Sequence, residues 1–150
     1  MAVVALATHV APVAGEGQPA EPLDLARHRW KHRVLVFFAP TVTDSAYRAE
    51  AAALAARAAD ARVREILAAA VFERGESTFD GRPLVAGDAE ALRRRFRPPA
   101  GRFSAVLLGK DGRTTVRLAR PVVEGRLFPA VDAMPMGRAE ARRRGGPSGG

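Results

Sequence analysis

The apolar positions of the chain change period from segment to segment, and each period predicts an element. Arg33–Ala39 (RVLVFFA) is continuous, with β-branched and aromatic residues, as in a strand buried on both faces of a sheet. Pro40 stops it, having no N–H to give to a ladder. Thr41–Ser45 (TVTDS) is a polar loop in which Thr43, Asp44 or Ser45 serves as helix N-cap, and the Ala-rich segment Ala46–Ala61 predicts the helix that follows. Leu67–Phe72 predicts a second strand, closed by Gly75. A loop over Gly75–Gly87, with an Asp80-Gly81 turn, leads to a helix over Ala89–Phe96. Asp88 is its expected cap, Leu92 and Phe96 share one face, and Pro98-Pro99 end it. Phe103–Leu108, the turn Gly109-Lys110-Asp111-Gly112 and Thr114–Leu118 predict a β-hairpin. Val123–Met134 places Leu127, Val131 and Met134 at helical spacing, with Pro129 tolerable in a first turn. Upstream, Leu23–His32 predicts a short amphipathic turn capped by Asp24.

Strand, helix, strand, helix, hairpin, helix is an α/β order. Its first half needs a right-handed crossover between parallel strands; its second half is an antiparallel pair closed by a helix. One mixed sheet of about four to five strands flanked by helices satisfies both, and that is the thioredoxin-like topology. The expected organisation is an apolar leader or disordered tail plus linker over 1–22, the domain over 23–136, and a basic disordered tail over 137–150.

Composition narrows the chemistry. A chain of 150 residues, 47% hydrophobic, can bury one core, and it has no apolar stretch long enough for a membrane span. It has no cysteine, which removes disulfides, thiolate metal sites and thiol catalysis together. His9, His28 and His32 form no HExxH pair. His28 and His32, at i,i+4, read as a solvated element end, and no metal or cofactor is expected. The net charge of +8 would suit a nucleic-acid partner, but Lys31 and Lys110 are the only lysines among 24 basic residues and aromatics are few, which points to compositional bias. Nucleic acid is therefore disfavoured, although Arg93–Arg97 and Arg138–Arg144 concentrate charge. Met1–Gly15 resembles the apolar part of a secretory signal, with Val13-Ala14-Gly15 as a cleavage-like triplet, but lacks a basic n-region. A periplasmic or secreted location is the expectation, a cytoplasmic one the alternative.

Three segments carry a family resemblance: RWKHRVLVFFAP (Arg29–Pro40), VLLGKDG (Val106–Gly112) and LFPAVDAMPMGRAEARRR (Leu127–Arg144). On these the chain resembles domain of unknown function 4174, a peroxiredoxin-like group of thioredoxin-like fold. The group occurs in bacterial proteins and, as related domains, in some secreted animal matrix proteins. The resemblance implies a fold and often export, but no reaction. Peroxiredoxins carry P-x-x-x-T/S-x-x-C at the corner after the first strand. The same spacing from Pro40 puts Asp44 at the hydroxyl position and Tyr47 at the cysteine position. A phenol near pKa 10 cannot cycle through sulfenic acid, and a carboxylate there repels a thiolate, so no catalytic residue is assigned. Thioredoxins also carry a cis proline before the hairpin; Pro98 and Pro99 stand upstream of Phe103 but not directly against it.

The favoured reading is a non-catalytic thioredoxin-like module that binds a protein, peptide or small ligand, with Asp44, Ser45, Tyr47, Lys31 and Arg33 as candidate binding residues. Core packing is the competing role for Tyr47, a solvated face for Lys31 and Arg33. Trp30, Phe37 and Phe38 are expected in the core. The alternatives are a thiol-independent enzyme using the Asp44/Tyr47 corner and an anionic-surface or nucleic-acid binder acting through the Arg clusters.

Overall fold

The computed structural model describes residues 22–145; the expected leader and linker over residues 1–21, and residues 146–150, lie outside them. Its centre is β1 (Arg33–Ala39), the predicted double-sided strand, and all seven of its residues are buried. It pairs in parallel with β2 (Ile66–Phe72) and antiparallel with β5 (Ser104–Leu108), which pairs with β6 (Thr115–Leu118). Beyond β2 lie β3 (Thr78–Phe79) and β4 (Arg82–Pro83), so the six-stranded sheet runs β4-β3-β2-β1-β5-β6. The sequence predicts four to five strands because β3 and β4 have two residues each, too few to show alternation. Only their turn is legible: Asp80 and Gly81 both take positive φ, 52° and 79°, as a two-residue hairpin of the primed kind requires.

The alternation of β1 divides the core. Leu35 and Phe37 face one side with Leu107, Leu127 and Val131; Val34, Val36 and Phe38 face the other with Leu92 and Phe96. Each such fully buried side chain contributes about 1.5–3 kcal/mol of transfer free energy, so a strand buried along its whole length anchors both layers. The first layer holds the Ala-rich segment, which is two helices, α1 (Ser45–Ala56) and α2 (Ala58–Val63), separated at Arg57. It also holds the segment after the hairpin, where Val122–Leu127 is π-helical and α4 covers Phe128–Ala133, with Pro129 in its first turn as expected. Leu127, Val131 and Met134, the residues at helical spacing, are all buried. The second layer is α3 (Ala86–Phe96).

Three expectations are corrected, and one open point is answered. First, α3 begins three residues before Ala89, and Asp88 does not cap it; its carboxylate accepts the Leu23 N–H at 2.7 Å and ties down the N-terminal segment. Second, Trp30 is 61% exposed instead of buried, because it occupies a turn with φ 67° between the 3-10 turn Leu25–His28 and β1. Third, the boundary at residue 137 falls inside α5 (Pro135–Arg144), which is helical to Arg144 and not a tail. At Pro98 and Pro99, where the sequence leaves the isomer open, both peptides are trans; among the described residues the cis peptide is Arg120–Pro121, after the hairpin.

Gly137 is the reason α5 docks. A Cβ built on it would stand 1.8 Å from the Val131 carbonyl oxygen, so the α5 backbone rests directly on α4. Gly137→Ala is expected to destabilise the protein by about 3 kcal/mol in urea unfolding. Gly87→Ala, in α3 with nothing within 4 Å of the new Cβ, is expected to be neutral or to stabilise by about 0.5–1 kcal/mol. Equal effects at the two glycines would refute the close approach.

Candidate functional site

The two ends of β1 hold different chemistry, about 20 Å apart by the rise of a seven-residue strand. At its C-terminal end is the Pro40–Tyr47 corner. Asp44 is the N-cap of α1, its Oδ2 accepting the Tyr47 N–H at 2.9 Å. That bond satisfies one of the orphan donors at the helix start. Thr41 and Thr43 join their hydroxyls at 2.9 Å, and Ser45 is exposed. The Tyr47 ring stands edge-on to Phe72, 4.9 Å between centroids, and to Phe37, 6.0 Å. Burial raises its phenol above the ordinary 10.0, so it stays protonated at neutral pH. Its hydroxyl has no partner among the described residues. One turn further on, Glu50 is 4% exposed, and its two carboxylate oxygens accept the Val122 and Val123 N–H groups, 2.9 Å each. Arg120 approaches it at 3.5 Å. Glu50 was not legible inside an Ala-rich helix; it is occupied in holding the π-helical turn against α1.

At the other end stands Arg33, expected on a solvated face and found 1% exposed. Its Nη1 donates to the Arg64 carbonyl at 2.8 Å, and its Nη2 lies 3.0 Å from Glu140 Oε1, off-axis for a hydrogen bond. Glu140 Oε2 accepts from Lys110 Nζ at 2.8 Å, and Glu65 stands 3.5 Å from the same ammonium. Burial is the largest single influence on the Glu140 carboxyl and pushes it up; Lys110 and Arg33 together outweigh it and hold the group below 4.5. Asp132, against Arg64 and Arg144, is lowered too, first by its hydrogen bond from Arg64. The three segments that carry the family resemblance thus meet here: Arg33, Lys110 and Glu140 each come from a different one. A lone acid inside the run Arg138–Arg144 was the available signal for Glu140.

The structure therefore unites Asp44, Ser45 and Tyr47 at one pole and places Lys31 and Arg33 at the other. Lys31 is exposed beside Trp30, whose N–H donates to the Lys110 carbonyl at 2.7 Å. His28 and His32 face each other, Nδ1 to Nδ1 at 3.2 Å, so one of them carries the proton between. Burial, then the neighbouring His32, lowers His28 below 6.5. Among the described residues no group of three or more His, Cys, Asp or Glu is placed to hold a metal, and no helix is long and apolar enough to cross a membrane. The Arg runs are partly spoken for. Arg93 donates to the Phe72 carbonyl and to Glu90, Arg95 to the Gly112 carbonyl, and Arg144 to Asp132.

Compared with known families, the chain matches the model of a domain of unknown function (DUF4174) over residues 24–140. No solved structure matches it.

At the corner, Asp44→Ala is expected to cost about 1 kcal/mol through the lost cap, and Tyr47→Phe to leave stability within about 0.5 kcal/mol. Chemical denaturation measures both. A large cost for removing the hydroxyl alone would show that it has a partner of consequence.

Proposed function

We propose, since the chain belongs to the DUF4174 family and that family is defined without a function, that it is a non-catalytic binding or structural module, thioredoxin-like in its central strands. The observation that carries this reading is the fate of the two residues at the catalytic places of the corner. Asp44 is held at the helix start as its N-cap through Oδ2, and the Tyr47 ring is fixed between Phe37 and Phe72. A general base needs a free lone pair aimed at a substrate proton, and a nucleophile needs an activating base within hydrogen-bond reach. Among the described residues no hydrogen bond joins Ser45 or the Tyr47 hydroxyl to an activating base, and burial raises the Tyr47 phenol instead of lowering it. The sheet order β2-β1-β5-β6, with β1 and β2 parallel and the others antiparallel, supports the thioredoxin-like description. The cis proline after the hairpin departs from it.

The cell envelope of a bacterium is the proposed location. It is supported by the resemblance and by the apolar composition of residues 1–15. A reading through anionic surfaces is weaker, because Arg93, Arg95 and Arg144 have intramolecular partners.

The test is turnover. Purified protein is expected to consume no hydrogen peroxide and to reduce no dithiothreitol-coupled disulfide above the protein-free rate. Turnover that disappears in Tyr47→Phe or Asp44→Ala would overturn the non-catalytic reading and assign the chemistry to the corner.

A further inference from the structure

At the C-terminal ends of β1 and β2, on the α3 side of the sheet and apart from the Tyr47 ring, a cleft of about 210 Å³ opens to solvent. Its floor is apolar: Phe38, Ala39 and Val71, which are 2%, 2% and 1% exposed. Its mouth is cationic, with Arg93, Arg97 and Arg102 around it and Glu73 as the single acid. Glu73 is engaged, its Oε2 accepting the Gly101 N–H at 2.7 Å, which fixes the loop that carries Arg102. Arg93 is engaged by the Phe72 carbonyl and Glu90. Arg97 and Arg102 are exposed, and neither guanidinium has a partner among the described residues. Arg97 is itself the left-handed residue that ends α3, with φ 48°.

We propose that this cleft is a binding site for a small organic carboxylate with an apolar body. Ligands of open α/β sheets collect at the carboxyl ends of the strands. The volume lies below the roughly 300–1,000 Å³ of sites for drug-sized molecules, so the occupant is small. Free phosphate would satisfy the guanidiniums but leave the floor uncovered; a neutral apolar molecule would do the reverse. A carboxylate on a ring or short chain does both, with the planar fork of Arg97 or Arg102 donating side-on to its two oxygens. The site gives a ligand class to the binding reading above and rests on it, but the two fail separately. Turnover at the corner would end that reading and leave the cleft, whereas a cleft that ignores carboxylates would leave the inert corner as it stands.

The experiment is an NMR titration of the full chain with benzoate, benzamide and inorganic phosphate at fixed ionic strength. Benzoate is expected to shift the amides of Arg97, Ala100, Gly101 and Arg102 saturably, with half-saturation at about 1 mM or below. Benzamide and phosphate are expected to bind at least about tenfold more weakly, and the double variant Arg97→Gln/Arg102→Gln to weaken benzoate by at least about tenfold. Ala100→Trp, on the exposed rim, is expected to block it while the remaining spectrum stays native. No saturable response, equal binding of benzamide or phosphate, or undiminished binding by the folded variants would overturn the proposal.

Discussion

A guanidinium buried at the start of the central strand is the constraint around which the fold is arranged. Arg33 is 1% exposed, at the first residue of β1, where removing a charge from water is costly unless it is matched. The match comes from Glu140 on the last helix, and Glu140 in turn takes Lys110 from the hairpin turn. One carboxylate therefore links the beginning, middle and end of the domain. It can do so only because Gly137 lets α5 lie against α4, three residues before Glu140.

This arrangement separates what marks the family from what would make an enzyme. The residues that carry the resemblance converge on the N-terminal end of β1, where their ion pairs close the structure. The corner at the opposite end is built from groups that folding itself requires: a proline stop, a carboxylate cap, an aromatic wedge. Glu50, one turn beyond Tyr47, is a buried carboxylate with both oxygens given to backbone amides. It stabilises the turn after the hairpin and, at 4% exposed, is closed off from solvent. The corner thus keeps its shape without a nucleophile.

The parts of the fold written in local pattern were legible in the sequence. The apolar run of β1 and the hairpin around Gly109–Gly112 follow from neighbours in the chain and stand where expected, and Asp44 is the one of three candidate caps, Thr43, Asp44 and Ser45, that is used. The parts decided by distant residues were not. Asp88 looked like a cap but binds the Leu23 amide, 65 residues away. Arg33 looked solvated because its partner, Glu140, lies on a helix that composition made look like a tail. Trp30 looked like core because hydrophobicity does not reveal that Trp30 itself takes a positive φ in the turn before β1. The candidate site was legible as two sets of residues but not as two places: nothing in the spacing of Lys31, Arg33, Asp44 and Tyr47 says that a whole strand lies between them.

The Arg33–Glu140–Lys110 cluster closes the domain, and the urea unfolding of Glu140→Gln measures it most directly. Removing the carboxylate leaves Arg33 buried without its counter-charge, and the expected loss is about 3–5 kcal/mol, as for other buried pairs broken at one partner. A loss below about 1 kcal/mol, the range of exposed surface pairs, would contradict the claim that this cluster holds the domain together.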